Sequence, residues 1–163
     1  MEENQKEIEE AIELRRQDLE KLCTGRKVDL NALELDDLDV LCVAITLIRR
    51  ESPIESLYLG SNLIKDEGME ALCSAFAKHT ELKELYIGSN NFQDPGLNHF
   101  MSVFPELTNL CVLSLGLSHL NDSSCTSLAG SMLAMSSCSL SSLFLNGNSI
   151  GDEGLLSLMY SSI

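Results

Sequence analysis

Three histidines stand at 79, 99 and 119, evenly spaced by twenty residues. Imidazoles serve as general bases and as metal ligands, so the spacing raises the question of a catalytic or metal centre. Six cysteines, at 23, 42, 73, 111, 125 and 138, bring thiol chemistry into view. Asp66, Asp94, Asp122 and Asp152 recur at near-constant intervals and suggest a calcium ladder. "LGSN" and "IGSN" place glycine beside serine, as phosphate loops do. None of these completes a site. No cysteine pair is spaced C-x-x-C, and no Cys lies near a His in a metal-ligand pattern. No G-K-S/T follows the Gly-Ser pairs. The sequence therefore implies no catalytic residues, no cofactor, no metal and no enzymatic activity.

The elements that would have to position these groups explain them better. "LYLGSNLIKDEG" at 57–68, "LYIGSNNFQDPG" at 85–96 and "LFLNGNSIGDEG" at 143–154 are near copies. Units open at Ile54, Leu82, Leu110 and Leu140, at intervals of 28, 28 and 30 residues. Each begins L-x-x-L-x-L: "IESLYL", "LKELYI", "LCVLSL" and "LSSLFL". A polar position follows, filled by Asn62, Asn90, Ser118 and Asn148, then an apolar one at Ile64, Phe92, Leu120 and Ile150. The alternating x-L-x-L core predicts a short strand with one face buried. The Asn amide can donate to and accept from loop backbone, so it can link stacked units. The aspartates are placed to cap helices, which accounts for them without an ion. Met69, Leu72 and Phe76 then mark a helical stripe. Leu97, Phe100 and Phe104 repeat it, as do Cys125, Leu128 and Met132, and Leu155 with Leu158. In this frame the three histidines fall in a helix end, a helix middle and a loop. Cys125 shares a core slot with Met69, Leu97 and Leu155.

This pattern resembles a leucine-rich repeat protein of the ribonuclease-inhibitor-like class, over residues 54–163. The resemblance implies an α/β fold, a right-handed solenoid with short parallel strands on the concave face and helices on the convex face. That class includes ribonuclease inhibitor, innate immune receptors, tropomodulin-like actin regulators and Ran GTPase-activating proteins. The implied function is protein–protein binding through the concave face. Regulation of a small GTPase or a nuclease is an alternative by analogy. The expected organisation is an N-terminal helix or cap over 1–25, a degenerate repeat over 26–53, and repeats over 54–81, 82–109, 110–139 and 140–163. In the degenerate unit, shifted by 29 residues, Val28, Leu30, Leu35, Asp37, Val40, Val43 and Leu47 keep their slots, whereas Leu33 replaces the Asn. The cap carries Ile8, Ile12, Leu19 and Leu22 on one stripe, with Ala11 beside it and Arg15 within it, its head expected in water.

Composition narrows the partners. The chain has 163 residues, of which 44% are apolar, enough for one domain with a core. Its net charge is −14 and it shows no basic stripe, which argues against nucleic acid and anionic membranes. All eleven Lys and Arg lie at or before Lys83. The second half, which lacks dense charge, reads either as a compositional habit or as a surface that is not free to solvent. The N-terminus "MEENQKEIEEAIELRRQ" has no apolar run behind it. With six cysteines in no pairing pattern, it predicts a cytoplasmic, reducing setting. The chain stops at Ser161-Ser162-Ile163, inside the last expected helix. An uncovered last unit predicts self-association, as in a structural assembly subunit, or continuation in a longer solenoid.

If the leucines of x-L-x-L fill the core, the residues between them face outward. Those outward positions are the predicted protein-binding residues: Ser56, Tyr58, Glu84, Tyr86, Val112, Ser114, Ser142, Phe144 and Asn146. Tyr58, Tyr86 and Phe144 are the expected anchors, because aromatics bury large area with few rotatable bonds. Gly60, Gly88 and Gly116 flank them, expected from local backbone bending.

Overall fold

The computed structural model describes residues 2–135 and 137–161, with the side chains of 2–9, 11 and 12 set aside. The side chains of the expected stripe positions Ile8, Ala11 and Ile12 are among those set aside, and the expected slot of Ser162 lies outside the described residues. A helix α1 (Glu2–Leu22) precedes five strand–helix units. The strands are β1 (Lys27–Asp29), β2 (Ser56–Tyr58), β3 (Glu84–Tyr86), β4 (Val112–Ser114) and β5 (Ser142–Phe144). The helices between and after them are α2 (Asp37–Arg49), α3 (Asp66–Phe76), α4 (Asp94–Val103), α5 (Asp122–Ala134) and α6 (Asp152–Ser161). A short 3-10 turn, Phe104–Glu106, follows α4.

The strands form one parallel sheet in chain order, β1-β2-β3-β4-β5. Its register is that of the repeat: Val28 pairs with Leu57, Leu57 with Leu85, Leu85 with Leu113 and Leu113 with Leu143. Consecutive helices pack on one another in the same order. The molecule is thus an α/β leucine-rich repeat solenoid, one layer of strands against one layer of helices. Its interior is continuous, because no single unit can bury its own apolar face. Leu57, Leu59, Ile64, Met69, Leu72 and Phe76 of one unit are fully buried, as are Leu85, Ile87, Phe92 and Phe100 of the next. Phe76 meets Phe100 edge-on, with centroids 5.9 Å apart, and Phe104 from the 3-10 turn joins them at 5.5 Å from Phe100. Burial fades in the last unit. Leu143, Leu145 and Leu158 are only partly buried, and Leu155, in the slot of Met69, is 55% exposed.

The asparagines perform the linkage expected of them. Asn62 Oδ1 accepts from the backbone N–H of Leu33 and Leu35 at 3.0 and 3.1 Å, and its Nδ2 donates to the carbonyls of Leu30 and Leu59. Asn90 bonds Ile64 N–H and the Leu59 and Ile87 carbonyls, and Asn148 bonds Ser118, Leu120, Leu115 and Leu145. Ser118 has no amide to offer, and its hydroxyl donates to Gly116 O of its own unit at 3.3 Å.

The aspartates depart from expectation. They do not cap their own helices. Each is the first residue of its helix, behind an N-cap of Lys65, Gln93 or Asn121 in the middle units, and Asp37, Asp66, Asp94 and Asp122 reach forward into the next unit. Asp37 Oδ1 accepts from Lys65 N–H and Gly68 N–H, and Asp66 Oδ1 from Gln93 N–H and Gly96 N–H at 2.8 Å each. Asp122 accepts from Gly151 N–H. Lys65 and Gln93 make no side-chain cap of their own, so the orphan donors of α3 and α4 are satisfied by the preceding unit's carboxylate. The first unit has no predecessor of this kind, and Asp36 supplies a capping box for α2. Asn121 likewise caps α5, leaving Asp94 to accept from the Ser124 hydroxyl.

At the N-terminal end α1 packs on α2. Leu19 is buried and Leu22 is 47% exposed; the neighbouring Cys23 takes the inward position instead. Arg15 is exposed, and its guanidinium bonds both carboxylate oxygens of Asp39, at 2.9 and 3.1 Å, and the Leu33 carbonyl. Arg50 holds the carbonyls of Cys23 and Gly25. Arginine side chains thus satisfy backbone groups that a preceding repeat would otherwise cover.

Candidate protein-binding face

The side of the sheet away from the helices carries three columns of side chains. Register places Lys27, Ser56, Glu84, Val112 and Ser142 in the first, and Asp29, Tyr58, Tyr86, Ser114 and Phe144 in the second. The third is Asn31, Gly60, Gly88, Gly116 and Asn146, in step through backbone bonds such as Ser61 N–H to Gly88 O and Ser89 N–H to Gly116 O. All nine sequence-predicted residues occupy outward positions, and the three aromatics share the middle column. Lys27, Asp29 and Asn31 complete the columns and were not predicted. Their signal was available, since Val28 and Leu30 take the slots of Leu57 and Leu59.

The tyrosines form a compact stack. The rings of Tyr58 and Tyr86 lie 4.8 Å apart and 9° from parallel. Lys27 Nζ sits 4.5 Å from the Tyr58 centroid on the other side. The Tyr58 hydroxyl donates to the Glu84 carboxylate at 2.5 Å. That bond, assisted by burial, pushes the phenol up to about 12, so Tyr58 stays neutral and donating. Arg26 and Lys83 both pair with Glu55 at the margin, and the Arg26 bond leads in holding that carboxylate below its usual range. Phe144 stands apart at the far end, 46% exposed.

A trough of about 390 Å³ runs along the third column, with Tyr58, Tyr86 and Ser114 on one side. Close approach, and not backbone bending, explains its glycines. None of Gly60, Gly88 and Gly116 has a positive φ; that conformation belongs to the following slot, Ser61, Ser89, Leu117 and Gly147. A Cβ at Gly88 would meet the Gly116 carbonyl oxygen at 2.5 Å, and one at Gly116 would meet the Asn146 side chain at 2.8 Å.

The groups that raised chemistry do not assemble it. His79 is buried at the end of the α3 unit, where Nε2–H donates to the Leu47 carbonyl at 2.9 Å. His99 is exposed on α4 and His119 on the loop after β4. Burial pushes the thiols of Cys23 and Cys73 up, to about 11 and about 12, which suppresses the thiolate. All six cysteines are unpaired. Among the described residues no group of three or more His, Cys, Asp or Glu is arranged to hold a metal. Gly147–Gly151 spells G-N-S-I-G between β5 and α6, the spacing of a nucleophile elbow. Asn148 within it serves the inter-unit ladder, and among the described residues no histidine bonds Ser149. No helix of the described residues is long and apolar enough to cross a membrane.

The family comparison agrees with the repeated units. A family model described as a leucine-rich repeat matches residues 52–73, 78–98 and 136–159. No curated protein matches the sequence. Among solved structures, an internalin (inlF) from Listeria monocytogenes str. 4b F2365 matches at 25% identity and a TM-score of 0.42. The match covers 72% of this chain and 35% of the internalin, so the chain spans about a third of that protein's length. The matched segments fall on the repeat ladder and support a leucine-rich repeat protein. Such proteins generally mediate protein–protein interaction.

Proposed function

We propose that this protein is a binding module that grips a protein partner on the outward, concave face of its sheet and carries out no catalysis. One observation carries the reading: the aromatic column is displayed on the outward side of the sheet and not in the core. Tyr58, Tyr86 and Phe144 are half-buried or exposed, while the leucines between them fill the core. Stacked tyrosines offer rigid area and a polar edge at little entropic cost. Ser56, Glu84, Val112, Ser114, Ser142 and Asn146 surround them as the adaptable part of the surface. The 28-residue units, each with a full helix, support placement in the ribonuclease-inhibitor-like class. The unpaired cysteines support a reducing, cytoplasmic setting, and a net charge of −14 weighs against nucleic acid or anionic membrane as the partner.

Changing Tyr58 and Tyr86 together to alanine tests the face. Partner affinity should fall by about 2 kcal/mol, near thirtyfold, if these are central anchors. Unchanged affinity with intact folding would move the interface elsewhere.

A second reading is favoured by the last unit. Leu155, Leu156, Met159 and Tyr160 of α6 are 49% to 70% exposed, and an apolar groove of about 400 Å³ lies beside them between Leu145, Ile150 and Leu158. Self-association through this end would cover both.

A further inference from the structure

The middle column has a missing rung. Tyr58 and Tyr86 stack, Phe144 stands two strands further on, and between them register puts Ser114. Adjacent strands lie about 4.8 Å apart, so the bases of Tyr86 and Phe144 are about 9.6 Å apart. A flat group entering over Ser114 would have a ring on either side, each about 5 Å away, within the roughly 6 Å reach of a cation–π contact. The molecule already uses this chemistry at the opposite end of the stack, where Lys27 sits over the free face of Tyr58. The corresponding free face of Tyr86 looks onto the gap. Charge favours the same kind of guest. Among the outward positions of β3, β4 and β5 the one charged residue is Glu84, an acid. Lys83 at the margin is engaged by Glu55, and no Lys or Arg follows it in the sequence.

The geometry points to a subsite over Ser114, between Tyr86 and Phe144, that takes the guanidinium of an arginine presented by the protein partner. This inference rests on the outward face being the binding surface. Arginine suits the gap better than lysine because its cation is planar and weakly hydrated, so it slides between rings. The Ser114 hydroxyl and the Asn146 amide oxygen supply acceptors on the floor and flank of the gap. An aromatic guest would fill the volume but would leave the acidic field unused.

The test is an NMR titration of the whole chain with four peptides: acetyl-Gly-Arg-Gly-amide and its lysine, citrulline and phenylalanine counterparts. The arginine peptide should shift the Ser114 amide and the Tyr86 and Phe144 ring signals. Its own δ-methylene protons should move upfield, and it should bind at least fivefold more tightly than the other three. Ser114→Tyr, which builds the absent rung, should weaken that binding about tenfold. If that variant fails to fold, Phe144→Ala, at an exposed ring, should weaken it severalfold. Absent shifts, equal binding of the phenylalanine peptide, or wild-type affinity in a folded Ser114→Tyr or Phe144→Ala chain would each overturn the subsite. A partner lost by the Tyr58/Tyr86 double variant but retained by Ser114→Tyr would overturn the subsite alone. A partner retained by both would overturn the face as well.

Discussion

Asn90 shows how much one side chain carries. It is 2% exposed and answers the Ile64 N–H and the Leu59 and Ile87 carbonyls across two units. Asn90→Ala strands these groups in the interior, where each unsatisfied partner costs about 1–3 kcal/mol. Urea unfolding should show a loss of about 3 kcal/mol or more; a loss under 1 would mean that water or backbone shifts replace the amide. His79 gives a pH signature. It is buried, with Nδ1 lacking a hydrogen-bond partner among the described residues. Burial leads in lowering its pKa from the ordinary 6.5, and the charges of Arg50 and Lys78 add to it. The folded chain therefore prefers neutral imidazole while the unfolded chain protonates normally. Its contribution is complete above about 6.5 and is lost as the pH falls through the depressed folded value. Between pH 7.5 and 5.5, wild type should lose more stability than His79→Gln. Equal losses would contradict the assignment. The slot of Asn90 was legible in the sequence because its amide repeats at fixed phase. The burial of His79 was not, since a helix-end position does not reveal which way the ring turns.

Between elements, the link from each helix start to the next decides which glycines matter. A Cβ at Gly96 would meet Asp66 Oδ1 at 2.6 Å and the Asp66 Cα at 3.1 Å, so it would expel the carboxylate that caps α4. A Cβ at Gly130, in α5, meets nothing within 4 Å. Gly96→Ala should therefore destabilise by about 1–3 kcal/mol, whereas Gly130→Ala should stabilise by up to about 1 kcal/mol through helix propensity. Thermal melts of the two variants should move in opposite directions. Movement in the same direction would mean that Gly96 does not mark the link. The strands and helical stripes could be read from the period because leucine burial imposes it. The forward reach of the aspartates could not, because an Asp at the start of a helix is compatible with capping its own first turn or the next unit's. The D-x-G spacing in three units was the available clue: the glycine makes room for the previous unit's carboxylate.

For the molecule as a whole, the two ends differ. At the N-terminal end Leu19, Cys23, Arg15 and Arg50 close the stack over the first unit. In the last unit the apolar stripe stays open, with Leu155 and Met159 one helical turn apart on α6 and 55% and 58% exposed. If this surface pairs copies of the chain, sedimentation should show mass rising with concentration, and Leu155→Lys with Met159→Lys should restore the monomer. A concentration-independent monomer for wild type would exclude that pairing. The central claim, however, concerns the sheet. A photoreactive phenylalanine analogue at Tyr86 lies on the outward face, and one at Ser74 lies on the exposed side of α3. Cross-linking in the source cell with each, side by side, tests the claim most directly. The account predicts a discrete protein adduct from position 86 and none from position 74; adducts from 74 with none from 86 would contradict it.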